Sequence, residues 1–167
     1  MNDAAEIIDA ESVLVGQRAG DKSELRLWLR LLSATNLVSA EIRRNLRQAF
    51  NITLPQFDLM AQLEREPNGL RLGELSRRMM VSNGNVTGLV DKLVEQGFVV
   101  REASPEDRRA MNVRMTKAGA SLFTLMAKAN EGWMVSLFSD VPADTRKILM
   151  GELDVVKRSV RRHRGDL

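Results

Sequence analysis

The apolar positions of the chain follow two different periods. From residue 23 to about 50, Leu25, Trp28, Leu32, Thr35, Ser39, Ile42 and Leu46 recur every three to four residues, widened by Leu31 and Val38. That spacing predicts a long amphipathic helix. Thr53 is placed to cap a second helix with Pro55 in its first turn, which carries Phe57, Met60, Ala61 and Leu63 inward until Pro67-Asn68-Gly69 ends it. Residues 70–72 form a short extended bridge into a third helix with Leu72, Leu75 and Met79 on one face. After a tight turn through Val81, Ser82 caps a fourth helix whose buried face is Val86, Leu89, Val90 and Leu93, and which stops at Gly97.

The period then shortens. Phe98-Val99-Val100-Arg101 and the alternating Met111-Asn112-Val113-Arg114-Met115 predict two strands joined by a polar stretch, 103–110, containing Pro105. Thr116 caps a long helix to about residue 139, with Leu122, Leu125, Met126, Ala129, Trp133 and Leu137 on its apolar side. Pro142 opens a last helix, 143 to about 162, with Ile148, Leu149, Leu153, Val156 and Val160 facing inward. The expected fold is mainly α with a small β-hairpin wing: a winged helix-turn-helix in a helical homodimer. Its parts are a flexible N-terminal arm (1–22), helices of the dimer base and lobe support (23–66), the winged helix-turn-helix lobe (70–116) and dimerisation helices (117–163). With 167 residues, one cooperative domain is expected overall. Dimerisation is expected because Trp28, Leu32 and the terminal helices offer more apolar surface than a lone subunit covers.

Composition narrows the function classes. The chain has no cysteine and one histidine, His163, in a basic tail without an acidic cluster, which argues against a zinc site, a disulfide framework or a thiol switch. No cofactor is expected. No apolar run approaches the roughly 18 residues of a membrane span, and no leader-like pattern opens the chain, so a soluble, cytoplasmic protein with no membrane partner is expected. Net charge is +3, but residues 1–17 hold four acidic residues and no Lys or Arg, so the other 150 carry +7. A basic body points to a polyanionic partner. An enzyme is disfavoured, because the sequence offers no nucleophile–base pair, no glycine-rich phosphate loop at a strand-to-helix junction and no metal cluster.

The helix-turn-helix carries the chemistry for that partner. Its second helix exposes Asn83, Gly84, Asn85, Thr87, Gly88, Asp91 and Lys92. Asn reads adenine through two hydrogen bonds, Thr meets a phosphate or a thymine methyl, and Lys meets phosphate or guanine. Ser82 and the free N–H groups at the helix start attract a phosphate. Gly84 and Gly88 each cost about 1 kcal/mol relative to alanine inside a helix. Close approach to DNA accounts for them, and so does simple tolerance near a helix start. The hairpin loop holds Glu106-Asp107-Arg108-Arg109, read either as a solvated charged loop or as a minor-groove probe. Its place directly behind a helix-turn-helix favours the probe.

These residues resemble the MarR family of bacterial regulators, in "LGELSRRMMVSNGNVTGLVDKLVEQGFVVR" followed by "SPEDRRAMNVRMTKAG", where D-x-R, a strand and T-x-x-G form the wing signature. The resemblance implies a triangular homodimer whose first and last two helices interleave, with recognition helices in successive major grooves of a palindromic double-stranded site. It implies that Arg109 inserts in the minor groove, that Asp107 braces it and that Arg108 is the next candidate. Where the family often has Arg this chain has Gly88, which leaves base readout to Asn83, Asn85 and Thr87. The family further implies a small, often aromatic and anionic effector between dimer base and lobe, drawing here on Trp28, Leu31, Leu32, Thr35, Phe57, Met60 and Trp133.

The runs "LRLWLRLL" and "TLPQFDLMAQLEREPNGL" are similar to a proteobacterial branch that controls aromatic-acid breakdown, some members answering hydroxycinnamoyl-CoA thioesters. For such a thioester Arg43, Arg44 and Arg47 are the candidate phosphate ligands, against the plainer reading of a solvated basic face. The expected function is a ligand-responsive transcriptional regulator, a repressor released by an aromatic acid or aromatic acyl-CoA. The alternatives are an activator of the same fold and a winged helix serving protein or RNA contact.

Overall fold

The computed structural model describes residues 22–103 and 111–165 of the chain. They form two compact units whose boundary in sequence falls between Lys128 and Ala129. The first unit contains α1 (Ser23–Phe50), α2 (Leu54–Glu64), β1 (Leu70–Arg71), α3 (Leu72–Met79), α4 (Asn83–Glu95), β2 (Val99–Ala103) and β3 (Met111–Met115). Helix α5 (Lys117–Leu137) begins in the first unit and ends in the second, which also holds α6 (Ala143–Arg164).

Local chemistry sets the ends of these helices. At α2, Thr53 and Gln56 form a reciprocal capping box: Gln56 N–H donates to Thr53 Oγ1 (3.4 Å) and Thr53 N–H to Gln56 Oε1 (2.9 Å). Such a cap is worth about 1 kcal/mol. Thr53 is where the sequence puts the cap; the T-x-x-Q spacing carries the signal for its partner. Helix α3 ends at Met80 in the left-handed region (φ 55°), and α1 likewise at Asn51 (φ 54°).

The core of the first unit is continuous. Leu46, Leu59, Met60, Leu75, Val86, Val90, Leu93 and Met126 are fully buried, joined by Ile52, Leu63, Leu70, Val99 and Val113. Burying one such side chain contributes about 1.5–3 kcal/mol. Phe57 stacks on Phe123 with ring centroids 5.5 Å apart, tying α2 to the start of α5.

The bridge at residues 70–72 resolves into more than a connector. Leu70 and Arg71 pair antiparallel with Val113 and Asn112, so the wing is a three-stranded sheet of order β1-β3-β2. β2 and β3 pair from Val99↔Met115 to Ala103↔Met111. Gly69 precedes β1 with φ 76°, and a Cβ there would lie 2.5 Å from the Val113 carbonyl oxygen, so only glycine fits.

The outer helices correct one expectation. Among the described residues Ile148, Leu149, Leu153 and Val160 do not face a core; they are exposed, and α6 has no buried residue. Leu125 is exposed too, as are Leu25, Trp28 and Leu32 on α1, which buries only Leu46. Periodicity identifies an apolar face without saying what covers it. Within the second unit, Arg146 caps the α5–α6 turn, its Nη1 donating to the carbonyls of Phe138 (3.1 Å) and Val141 (2.9 Å). Among the described residues no helix is long and apolar enough to cross a membrane.

Candidate nucleic-acid interface

Helix α3 supports α4 through the buried side chains Leu75, Val86, Val90 and Leu93, and Ser76 Oγ donates to the Val81 carbonyl (2.5 Å) across the turn. Arg78 anchors α3 to the end of α2, reaching Glu66 at 2.8 Å and Glu74 at 2.7 Å. At the start of α4, Ser82 Oγ accepts from Asn85 N–H (3.4 Å), as its cap position requires. The remaining first-turn N–H groups have no intrahelical acceptor, which suits an anion.

The polar face of α4 lies open. Asn83, Gly84, Asn85, Gly88 and Lys92 are exposed and Thr87 is half-buried. Thr87 Oγ1 donates to the Asn83 carbonyl (2.9 Å), so its methyl and a lone pair remain for a partner. Asn85, Gly88 and Lys92 stand at i, i+3 and i+7 and form one stripe. A Cβ at Gly84 or Gly88 would meet no atom of the described residues within 4 Å. Among the described residues nothing requires glycine at either position.

Asp91 has a different role from its neighbours. Its Oδ1 lies 2.6 Å from Arg101 Nη2, so the carboxylate that sequence places on the reading face instead ties α4 to the stem of the wing. Further along the stem, Arg114 bridges to Glu102 at 2.6 Å and holds that carboxyl below the usual carboxylate range, chiefly through this hydrogen bond. At the root, Thr116 Oγ1 donates to the Gly97 carbonyl (2.8 Å) and accepts from Gly119 N–H (3.0 Å). A Cβ on Gly119 would come within 2.0 Å of the Phe98 carbonyl oxygen. The T-x-x-G spacing is thereby explained: Thr caps α5 while Gly lets the helix approach the strand backbone. Asp107, Arg108 and Arg109 lie outside the described residues.

The effector candidates are not gathered into one place. Trp28, Leu32 and Thr35 are exposed and Leu31 is half-buried on the first half of α1; Phe57 stacks on Phe123, and Met60 is fully buried in the core. Along the helix, Trp28 and Arg47 are about 28 Å apart at 1.5 Å per residue. Of the three arginines, Arg44 is paired with Glu41 and Arg43 is exposed. Arg47 lines an open concavity of about 370 Å³ together with Asn51, Thr53, Gln56, Lys92, Glu95 and Gln96. Gln56 and Gln96 carry no sequence signal for this meeting: Gln56 Nε2 donates to Gln96 Oε1 (3.1 Å) across forty residues of chain. Among the described residues no group of His, Cys, Asp or Glu is arranged to hold a metal ion.

Comparison with known proteins places these features in a lineage. A model of the MarR family matches residues 52–111. A crystal structure of a MarR family transcriptional regulator from Silicibacter pomeroyi is 33% identical and superposes with a TM-score of 0.75 over 85% of this chain and 99% of the other. The transcriptional activatory protein BadR of Rhodopseudomonas palustris is 33% identical over 87% of this chain and 88% of its own. CouR from Rhodococcus jostii, solved bound to p-coumaroyl-CoA, shares the fold at 19% identity, with a TM-score of 0.67 over 78% of this chain and 90% of the other.

Proposed function

The chain belongs to the MarR family of DNA-binding transcriptional regulators, and on that premise we propose that it binds a palindromic operator as a homodimer and responds to an aromatic acid or aromatic acyl-CoA thioester. The observation that carries this reading is the uncovered stripe of α4, where Asn85, Gly88 and Lys92 face outward and neither Gly84 nor Gly88 answers any internal need. A recognition helix without a side chain at these positions lets its backbone come closer to the groove.

In this reading Ser82 and the first-turn N–H groups take a phosphate, while Asn83, Asn85 and Thr87 read base edges. In the same reading Arg109 enters the minor groove, Asp107 braces it and Arg108 is the next candidate, while the Asp91–Arg101 bridge ties the described part of the wing stem to α4. Homodimers are typical of the family, and a second copy is the natural cover for the apolar side chains exposed on α1 and α6. The effector draws on Trp28, Leu31, Leu32, Thr35 and Phe57, with Met60 supporting from the core. The p-coumaroyl-CoA held by CouR supports the thioester class.

Repression relieved by the effector is the first reading of the output. Activation is the second, favoured by the activatory relative BadR. A fluorescence-anisotropy titration against the DNA upstream of the chain's own gene, at fixed salt, tests the proposal with and without aromatic acids and their CoA thioesters. Specific binding released by one compound supports ligand-relieved repression; binding that an effector leaves intact while transcription rises supports activation. Affinity that merely tracks salt on any sequence overturns the operator reading.

A further inference from the structure

We propose that the concavity between the end of α1, the start of α2 and the end of α4 is a binding site for a nucleotide-like anion, a small molecule with phosphoryl groups and at least one hydroxyl donor. Its volume of about 370 Å³ is within the range of small-molecule sites. Arg47 and Lys92 enter it from different helices, and neither has an ion-pair partner among the described residues. The hollow carries two cations against the one carboxylate of Glu95, so an added anion is attracted to it. Phosphoryl oxygens accept the charge-assisted hydrogen bonds that guanidinium and ammonium donate.

The rest of the lining sets the remainder of the ligand. Glu95 is also in the hollow, so a bare polyanion is opposed there and a hydroxyl that donates to the carboxylate is favoured. Asn51 and the Gln96 side-chain N–H groups add neutral hydrogen-bonding groups, while Thr53 and Gln56 engage each other and Gln56 also holds the Gln96 side-chain carbonyl oxygen. Every lining residue has a polar side chain, which suits the phosphate and sugar of a nucleotide.

Occupancy of this hollow reaches the reading face directly. Lys92 closes the stripe that begins at Asn85, so a phosphoryl group holding Lys92 removes it from DNA, and the ligand also touches Gln96, which caps the same helix. The inference therefore extends the regulator reading above, while the site itself requires no aromatic effector. Calorimetry of the full-length protein with ADP and with inorganic pyrophosphate, at about 0.15 M salt to screen diffuse attraction, separates the two. ADP is expected to bind saturably and more tightly than pyrophosphate, and to weaken operator binding.

Arg47→Gln and Lys92→Gln, both surface changes that leave the fold intact, are each expected to weaken ADP binding about tenfold, the size of one lost charge-assisted hydrogen bond. Arg26→Gln, on the same helix but about 32 Å away, is expected to keep the original ADP affinity. No saturable ADP binding, or an equal loss in Arg26→Gln, overturns the site. If ADP fails while Arg47→Gln and Lys92→Gln both weaken operator binding, the phosphate belongs to the DNA backbone and the small-molecule site is overturned. Release of operator by free aromatic acids without ADP binding leaves the regulator reading standing and removes this one.

Discussion

The lobe spanning α2 to β3 and the outer helices carry equally regular apolar patterns, yet they meet opposite fates within one chain. In the lobe, Val86, Val90 and Leu93 repeat with helical spacing and all three are fully buried. In α6, Ile148, Leu149 and Leu153 repeat just as regularly and are 64%, 50% and 42% exposed. The lobe's apolar face is covered within the described residues, with Leu46 of α1 and Met126 of α5 completing its core, whereas the apolar side chains of α6 stay exposed among them. Stability and assembly are therefore encoded by the same pattern in different places.

Substitutions sharpen that contrast. Leu93→Ala is expected to lower the unfolding free energy by about 3 kcal/mol through a cavity in the lobe, measured by urea denaturation at one fixed protein concentration. Ile148→Asp is expected to leave the lobe folded and to shift the dimer towards monomer, seen by analytical ultracentrifugation as a dissociation constant raised about a hundredfold or more. A monomeric starting protein with an unchanged sedimentation profile would break the contrast. Arg109→Ala is expected to weaken operator binding about tenfold while the dimer persists, and a titration across a salt series checks it.

Gly88→Ala has two opposed readouts. Helix propensity alone predicts a gain of up to about 1 kcal/mol in stability, since the added methyl meets nothing among the described residues. Operator affinity is expected to fall, because the methyl enters the space left for DNA; unchanged affinity makes Gly88 a neutral residue. The smallest effect concerns pH. Arg114 depresses the folded-state pKa of Glu102, so this pair's contribution is present above the unfolded carboxyl value and is lost as pH falls through the folded one. A thermal-melt series between neutral pH and pH 3 should show a slightly shallower acid decline in Glu102→Gln.

Much of this architecture was legible from local signals. Ser82 as a cap, Pro55 in a first turn, Gly97 as a stop and Thr116 at the head of α5 each act within a few residues, and each holds. What sequence could not supply were meetings between distant residues. The third strand exists only because Leu70 finds Val113, and Gln56 meets Gln96 only after α2 and α4 have packed. Asp91 belonged to the reading face by periodicity and was diverted by Arg101 on another element. Gly119 is explained by the backbone oxygen of Phe98, twenty-one residues earlier. The candidate effector residues fared differently for the same reason, since helical spacing locates a side chain on a face and leaves its neighbours undefined.

One consequence of the two open glycines concerns local opening. The first two turns of α4 contain Gly84 and Gly88 and rest on the Ser82 cap, while its last two turns are fixed by Val90, Leu93 and the Gln56–Gln96 bond. A single helix thus runs from a soft reading end to a rigid anchored end. Amide hydrogen exchange at residues 84–88 should be faster than at 90–95, because two glycines lower the helix propensity of the first half, where Val86 is fully buried, while Val90 and Leu93 both anchor the second. Contact with DNA is expected to order the soft end at an entropic cost, trading tightness of the complex for adaptability.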